Sequence, residues 1–257
     1  MSSSDLARAT ERNGAEFLLS MGRAGGGEAS TDPRVMWTIG GSPIAYHNAV
    51  VAAELGAADA DDVIAASRDL MESKAVPGSW HVGPSMRPAD LGARLEAHGF
   101  EGGPERGMAV DLDALARPDV PSELTVAHVS DLAGYEAVLA GGFGEGPVEA
   151  RWVREIFDRL AGDPAWQHVV GSVGEEPVAT ASIFLDGDVA GIYFVCTAPR
   201  FRRRGYGAAI TCAAFDGARE LGYRVGVLGS SPMGHAVYEG LGFVEVCAVG
   251  VYEWSVG

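Results

Sequence analysis

Apolar positions at Leu6, Ala9, Phe17, Leu18 and Met21 stand among polar ones at helical spacing and predict a helix over 6–21. Residues 24–33, rich in Gly and small polar side chains, read as a loop, and the apolar run Val35-Met36-Trp37-Thr38-Ile39 reads as a strand ended by Gly40-Gly41. A second helix is expected from Asp59 or Asp61 to Ser73, where the aspartates suit the positive end and Ile64, Leu70 and Met71 face a core. A short strand at Ser79–Val82, a helix from Pro88 to Ala97 ended by Gly99, and a strand over Gly107–Leu112 follow.

Pro118 and Pro121 then punctuate 113–122, a segment with few large apolar residues and the best candidate linker. The hydrophobic pattern thus predicts two domains, 1–120 and 121–257. In the second, the pattern predicts a strand at Leu124–Val129, a helix from Asp131, a Gly-rich break over 141–146 and a helix over Val148–Leu160. Strands at Trp166–Val173 and Pro177–Leu185 flank a turn at Glu175-Glu176, and Asp186-Gly187 is a hairpin signal into a third strand, Val189–Thr197. A helix over Gly205–Leu221, striped by Ile210, Ala213, Ala214, Gly217 and Leu221, leads to a strand at Val225–Leu228. A short helix at Pro232–Gly240 and a last strand at Val244–Trp254 close the pattern. A strand-helix-strand crossover after an antiparallel hairpin makes this an α/β segment with a mixed central sheet flanked by helices.

Composition narrows the function classes. Nineteen Lys and Arg against 35 Asp and Glu give a formal net charge of -16, which argues against a general nucleic-acid binder; such a charge favours approach of a cationic small molecule or, as the plainer reading, simply aids solubility. Cys196, Cys212 and Cys247 form no CxxC pair, so neither a disulfide framework nor a metal site is expected, and a cytoplasmic setting is the simplest one. No stretch is apolar enough to suggest a membrane span, and the first residues lack the order of a signal peptide.

The most specific feature is Pro199-Arg200-Phe201-Arg202-Arg203-Arg204-Gly205-Tyr206-Gly207, set between an apolar strand and an amphipathic helix. Gly205 and Gly207 permit a tight turn and close approach of a ligand to the main chain. Exposed amides and the positive end of the helix make a site for a pyrophosphate, and the arginines add a basic spot. The segment lacks the Gly-Lys-Ser/Thr ending of a Walker loop, and Ile210 stands where a dinucleotide fingerprint needs its third glycine.

Arg202-Arg203-Arg204-Gly205-Tyr206-Gly207 resembles the Arg/Gln-x-x-Gly-x-Gly/Ala signature of the GCN5-related N-acyltransferase (GNAT) family. The resemblance implies the acyl-CoA N-acyltransferase fold and an enzyme that uses acetyl-CoA or another acyl-CoA, without a metal. It implies that main-chain amides of Arg203, Arg204, Gly205, Tyr206, Gly207 and Ala208 grip the coenzyme pyrophosphate, with Arg202 at the first signature position. Val195, Cys196 and Thr197 on the preceding strand would bind the pantetheine arm through their backbone, Cys196 itself being a buried structural residue. Tyr238, ahead of Gly242-Phe243, resembles the family tyrosine that protonates the departing thiolate. An amine nucleophile must also lose a proton, for which Glu176 and His235 are the candidate bases, a solvated turn carboxylate and a helix-surface residue being the plainer readings. Attack is expected to be direct, through a tetrahedral intermediate.

Ala93, Glu96, Gly99 and Phe100 align with Ala236, Glu239, Gly242 and Phe243, each set following a short strand and a Gly/Ser/Pro turn. The first half therefore resembles a degenerate copy of the second, in a tandem pair of GNAT-like domains, with Leu95 in place of Tyr238 and no Arg-x-x-Gly-x-Gly turn. Its expected role is scaffold and acceptor-pocket wall. Trp37, Trp80 and His81 are either buried core or part of such a wall. The expected acceptor is a small-molecule amine rather than a protein, and the chain a monomer or homodimer. A noncatalytic acyl-CoA sensor, or a relative drawing its acyl group from a carrier protein or an aminoacyl-tRNA, are the competing readings.

Overall fold

Ser2 caps the first helix, α1 (Ser3–Ala24): its hydroxyl accepts from the Asp5 amide at 3.2 Å while its own amide donates to the Asp5 carboxylate at 3.0 Å. This reciprocal cap starts the helix ahead of the first apolar position. The computed structural model describes residues 1–142 and 146–255, so part of the expected Gly-rich break lies outside the described residues. It divides into two units, Met1–Gly107 with Val246–Gly257, and Met108–Glu245.

In the first unit, β1 (Glu28–Asp32) and β2 (Val35–Ile39) pair antiparallel, and β3 (Asn48–Ala53) pairs with the other edge of β2. Two expectations are corrected here. The segment read as a loop contains β1, a polar and largely exposed strand that pairs only with β2, so it carries no alternating signal. The strand β3, Asn-Ala-Val-Val-Ala-Ala, has no predicted counterpart because a strand covered on both faces shows a run of small apolar residues instead of a period. α2 (Ala60–Ser73) then leads to β4 (Gly78–Val82), which lies parallel to β3.

α3 (Leu91–Ala97) begins later than expected: Pro88 precedes it in a turn whose carbonyl accepts from the Leu91 amide at 3.2 Å. Gly99 has the predicted left-handed conformation, with φ of +84°. Trp80 is fully buried and donates from its indole nitrogen to Ser67 Oγ at 2.9 Å, and His81 is buried against the Tyr46 carbonyl. Both are core residues. Trp37 lines an apolar cavity of about 220 Å³ with Val50, Val63 and Met71.

β5 (Glu101–Asp111) crosses the division between units at Gly107. The second unit continues with β6 (Leu124–His128), α4 (Ala133–Gly142), α5 (Pro147–Arg159), β7 (Trp166–Val173), β8 (Glu176–Asp186) and β9 (Val189–Thr197). Neighbours from β6 to β9 are antiparallel. After α6 (Tyr206–Glu220), β10 (Val225–Ser230) returns parallel to β9, and α7 (His235–Gly240) follows. Tyr206, Ile210, Ala214, Phe215 and Ala218 of α6 pack on Ala179, Ala181, Ile183 and Ile192 of the sheet. Leu221, expected on that stripe, is 59% exposed because the helix ends before it.

The last strand, β11 (Val244–Trp254), starts in the second unit and finishes in the first, where Gly250 to Trp254 pair antiparallel with Val82 to Gly78 of β4. The division thus falls inside β5 and β11, not at the proline-bearing segment 113–122. That segment is tied into the second unit: the Ala116 amide donates to Leu241 O at 3.0 Å, and Arg117 makes a bidentate pair with Asp216 at 2.8 and 2.6 Å. Leu115, 6% exposed, joins the core there.

Ending the chain after Glu245 removes the ladder partner of β4 and the cover that Tyr252 and Trp254 give its core, and the first unit is expected to lose its near-UV circular dichroism. A variant that keeps a native tryptophan signature would contradict this. Burial also holds His47 down at about 3, and His81 and His168 at about 4, against an ordinary 6.5. All enter the fold neutral. Below 6.5 the unfolded chain takes up protons that the fold refuses, so their contribution is intact above that pH and is lost as pH falls toward about 4. Urea midpoints measured across this window should fall with pH, and less steeply in His81→Gln.

Candidate functional site

β9 and β10 pair only at Val189↔Val225, Ala190↔Gly226 and Gly191↔Val227, although β9 runs to Thr197 and β10 to Ser230. The cause lies in β9: Phe194 has φ of +53°, and the β8–β9 register shifts between Thr180 and Ser182. Such a bulge bends a strand away from its neighbour. Thr180 Oγ1 secures it by donating to the Phe194 carbonyl at 3.0 Å. Among the described residues the ladder between β9 and β10 stops at Gly191, and the gap beyond it contains the backbone of Val195, Cys196 and Thr197.

At the end of β9 the chain makes a short 3-10 turn over Pro199–Phe201 and then a left-handed step at Arg203, with φ of +64°, and another at Gly205, with φ of +82°. These steps deliver the first turn of α6. Ala209 is the first residue whose amide donates back to Gly205 O, at 3.0 Å, so the amides of Tyr206, Gly207 and Ala208 point out of the helix end. A Cβ on Gly207 would meet nothing nearer than Thr197 Oγ1 at 3.7 Å, which leaves open space before those donors. The site suits an anion, and nothing in the first turn of α6 is acidic.

The arginines have unlike roles. Arg202 Nε donates to Thr197 O at 3.1 Å and Nη2 to Gly142 O at 2.7 Å, so its guanidinium braces the loop against the end of α4. Gly142 is needed for that approach, since a Cβ there would lie 2.8 Å from Cys196 Sγ. Arg200 is ion-paired with Glu176, and the Arg204 guanidinium sits 5.3 Å from the Phe201 ring centre. Arg203 makes no hydrogen bond or ion pair among the described residues. Tyr206 contributes only its main chain, because its ring is buried and its hydroxyl donates to Glu123 at 2.8 Å. Cys196 is buried, 3.7 Å from Val138 O, and burial pushes its thiol up to about 11.

Because β9 and β10 are parallel, the loop after one and α7 after the other emerge at the same end of the sheet. Tyr238 on α7 is 8% exposed, its ring edge-on to Phe243, and its hydroxyl has no hydrogen-bond partner among the described residues. Burial pushes its pKa up to about 12, so it stays protonated at neutral pH. His235 points elsewhere: Nε2 lies 3.3 Å from Glu239 and 3.4 Å from Glu245. Glu176, at the start of β8, is held by Arg200 beside the loop. The sequence reading missed the Phe194 bulge, which has no residue signature, and the Arg202 brace, whose signal was the Gly141-Gly142 pair. Among the described residues no cluster of His, Cys, Asp and Glu fits a metal ion, and no helix is long and apolar enough to cross a membrane.

Residues 136–243 match the Acetyltransferase (GNAT) family. No curated protein matches the sequence. Among solved structures, a GCN5-related N-acetyltransferase from Kribbella flavida is similar over 96% of this chain and 96% of its own, with a TM-score of 0.71 and 18% identity. A functionally unknown conserved protein from Staphylococcus epidermidis is similar over 88% of this chain and 93% of its own, with a TM-score of 0.66 and 15% identity. A tandem GNAT protein from the clavulanic acid biosynthesis pathway is similar over 87% of this chain and 78% of its own, with a TM-score of 0.58 and 14% identity. The mixed sheet flanked by helices is the fold these proteins share.

Replacing Arg202 with Ala removes the brace and leaves the core untouched. Amide exchange at Thr197–Gly207 is expected to quicken by roughly tenfold, in line with about 1.5 kcal/mol for a charged hydrogen bond, with little change in melting temperature. Unchanged exchange there would show that the loop is held without the guanidinium.

Proposed function

We propose that this chain is an acyl-CoA-dependent N-acyltransferase of the GNAT superfamily, most simply an acetyltransferase acting on a small-molecule primary amine. The observation that carries the reading is the junction of β9 and α6, where an unladdered strand edge runs directly into an anion-binding helix end. A coenzyme A thioester has both parts in matching order. Its pyrophosphate fits the amides from Arg203 to Ala208, and its pantetheine arm carries amides that can add to Val195, Cys196 and Thr197 as a further strand would. Arg203, which has no hydrogen bond or ion pair among the described residues, is the side chain free to meet a phosphate.

Chemistry then needs little beyond placement. A neutral amine beside the thioester attacks its carbonyl carbon, a tetrahedral intermediate forms, and the C–S bond breaks as the amide forms. Tyr238, protonated and with no hydrogen-bond partner for its hydroxyl among the described residues, gives its proton to the leaving sulfur. For the amine proton, Glu176 is the better placed of the two candidates, since it stands beside the loop while His235 faces Glu239 and Glu245.

We also read the halves as two copies of one fold. The Phe100 amide donates to Leu95 O and the Phe243 amide to Tyr238 O, each at 3.0 Å, while the Gly99 and Gly242 amides donate to Glu96 O and Glu239 O, again each at 3.0 Å. The strands that follow, β5 and β11, each have 11 residues.

Thiol release from acetyl-CoA, measured against a panel of polyamines, amino acids and aminoglycosides, tests the assignment. Tyr238→Phe is expected to lower kcat roughly 100-fold with little change in KM or melting temperature, because it removes an acid that has no structural partner. Binding of acetyl-CoA without turnover on any amine would mark a sensor instead.

A further inference from the structure

Each unit contains a parallel strand pair that stops early. In the first, β3 and β4 are paired only at Ala49↔Ser79 and Val50↔Trp80, although β3 continues to Ala53. There the likeness to β9 and β10 ends, because the chain after β4 comes back beside the end of β3, running parallel to it. The Arg87 amide donates to Ala53 O at 3.0 Å, the Leu55 amide donates to Arg87 O at 3.2 Å, and Arg87 forms a parallel bridge with Glu54. Met86, 3% exposed, enters the apolar cluster that holds Leu55, Leu91 and Phe100. The strap is fastened to α1 as well, where Ser85 Oγ and N donate to the Glu11 carboxylate at 2.7 and 3.2 Å, and it is tightened within itself by Arg87 Nη1, which donates to Pro84 O at 3.0 Å and Met86 O at 2.7 Å. At Arg87 its main chain bonds to Ala53 at the end of β3 and to Leu55 just past it, as an amide-bearing ligand would bond to β9.

The helix after β3 also carries the opposite sign. α2 is preceded by Asp59 and has Asp61 and Asp62 in its first turn, where α6 has no acid and follows Arg202, Arg203 and Arg204. Carboxylates at a helix amino end take the favourable place an anion would occupy and repel a diphosphate. Leu95, fully buried, occupies the position of Tyr238 and offers no proton.

We infer that the chain holds one acyl-CoA, in the second unit, and that residues 83–87 are a resident substitute for ligand in the equivalent groove of the first. The inference rests on the acyl-CoA reading above. Calorimetric titration of the full chain with acetyl-CoA separates the two. One molecule bound per chain is expected. Gly207→Glu, which adds an acid at a helix end with space for it, is expected to weaken that binding roughly 100-fold while the protein stays folded by circular dichroism. Met86→Ala, in the strap, is expected to leave stoichiometry and affinity unchanged. No binding to the unmodified chain would overturn the acyl-CoA reading itself. Two molecules per chain would overturn the single-site inference and leave that reading standing, whereas wild-type affinity surviving in Gly207→Glu would overturn the placement of the coenzyme at the junction of β9 and α6, on which both rest.

Discussion

A strand that parts from its neighbour uncovers peptide groups, and buried peptide groups must bond to something. In the second unit this demand arises where β9 leaves β10 after Gly191, and the separation is built in by the left-handed Phe194 and the shifted register against β8. A second set of unmet donors lies at the amino end of α6. Both sets fall at one end of the sheet because β9 and β10 run the same way, and a loop of left-handed steps joins them. The fold thereby presents one continuous line of main-chain donors and acceptors, which is why the side chains around it can be chemically plain.

The first unit meets the same demand from within. On the proposed reading its strap bonds to Ala53 at the end of β3, and Asp61 and Asp62 already place carboxylates in the first turn of α2. β5 begins in the first unit and ends in the second, where the Leu112 amide donates to Arg224 O at 2.9 Å, and β11 returns the exchange by pairing with β4. Each unit completes its sheet with a strand that begins in the other, so neither half of the sequence encodes a finished core.

Sequence pattern made most of the second unit legible because its elements are long, its hairpin turn is Asp-Gly, and its helices carry a clear apolar stripe. The loop at Arg202–Gly207 could be placed between strand and helix for the same reason. What escaped was set by tertiary context. β1 is polar on both sides and is a strand only because β2 lends it an edge, while β3 is small and apolar throughout. The proline segment looked like a linker, yet its backbone and Arg117 are bonded into the second unit, and the true division lies within strands, where no composition changes. Likewise the arginine run did not reveal which guanidinium braces, which pairs and which stays free. That partition depends on Gly142, Glu176 and Phe201, which lie elsewhere along the chain or fold back on the loop.

Charge bears on the proposed chemistry more locally than the net value of -16 suggests. At physiological ionic strength an exposed charge is screened over about 8 Å, so the acidic surface as a whole does little to repel an anionic thioester once it is at the loop. Within that radius the balance is set by Arg202, Arg203 and Arg204 and by the end of α6. Two of these arginines are committed to Thr197, Gly142 and the Phe201 ring, which leaves their positive field in place while fixing the loop's shape. The proposed anion recognition is therefore mainly a property of preorganised backbone, with Arg203 as the side chain that would sharpen it. The proposed amine, cationic in solution, would meet an acidic exterior before it reaches the basic loop, so the two proposed substrates face local fields of opposite sign.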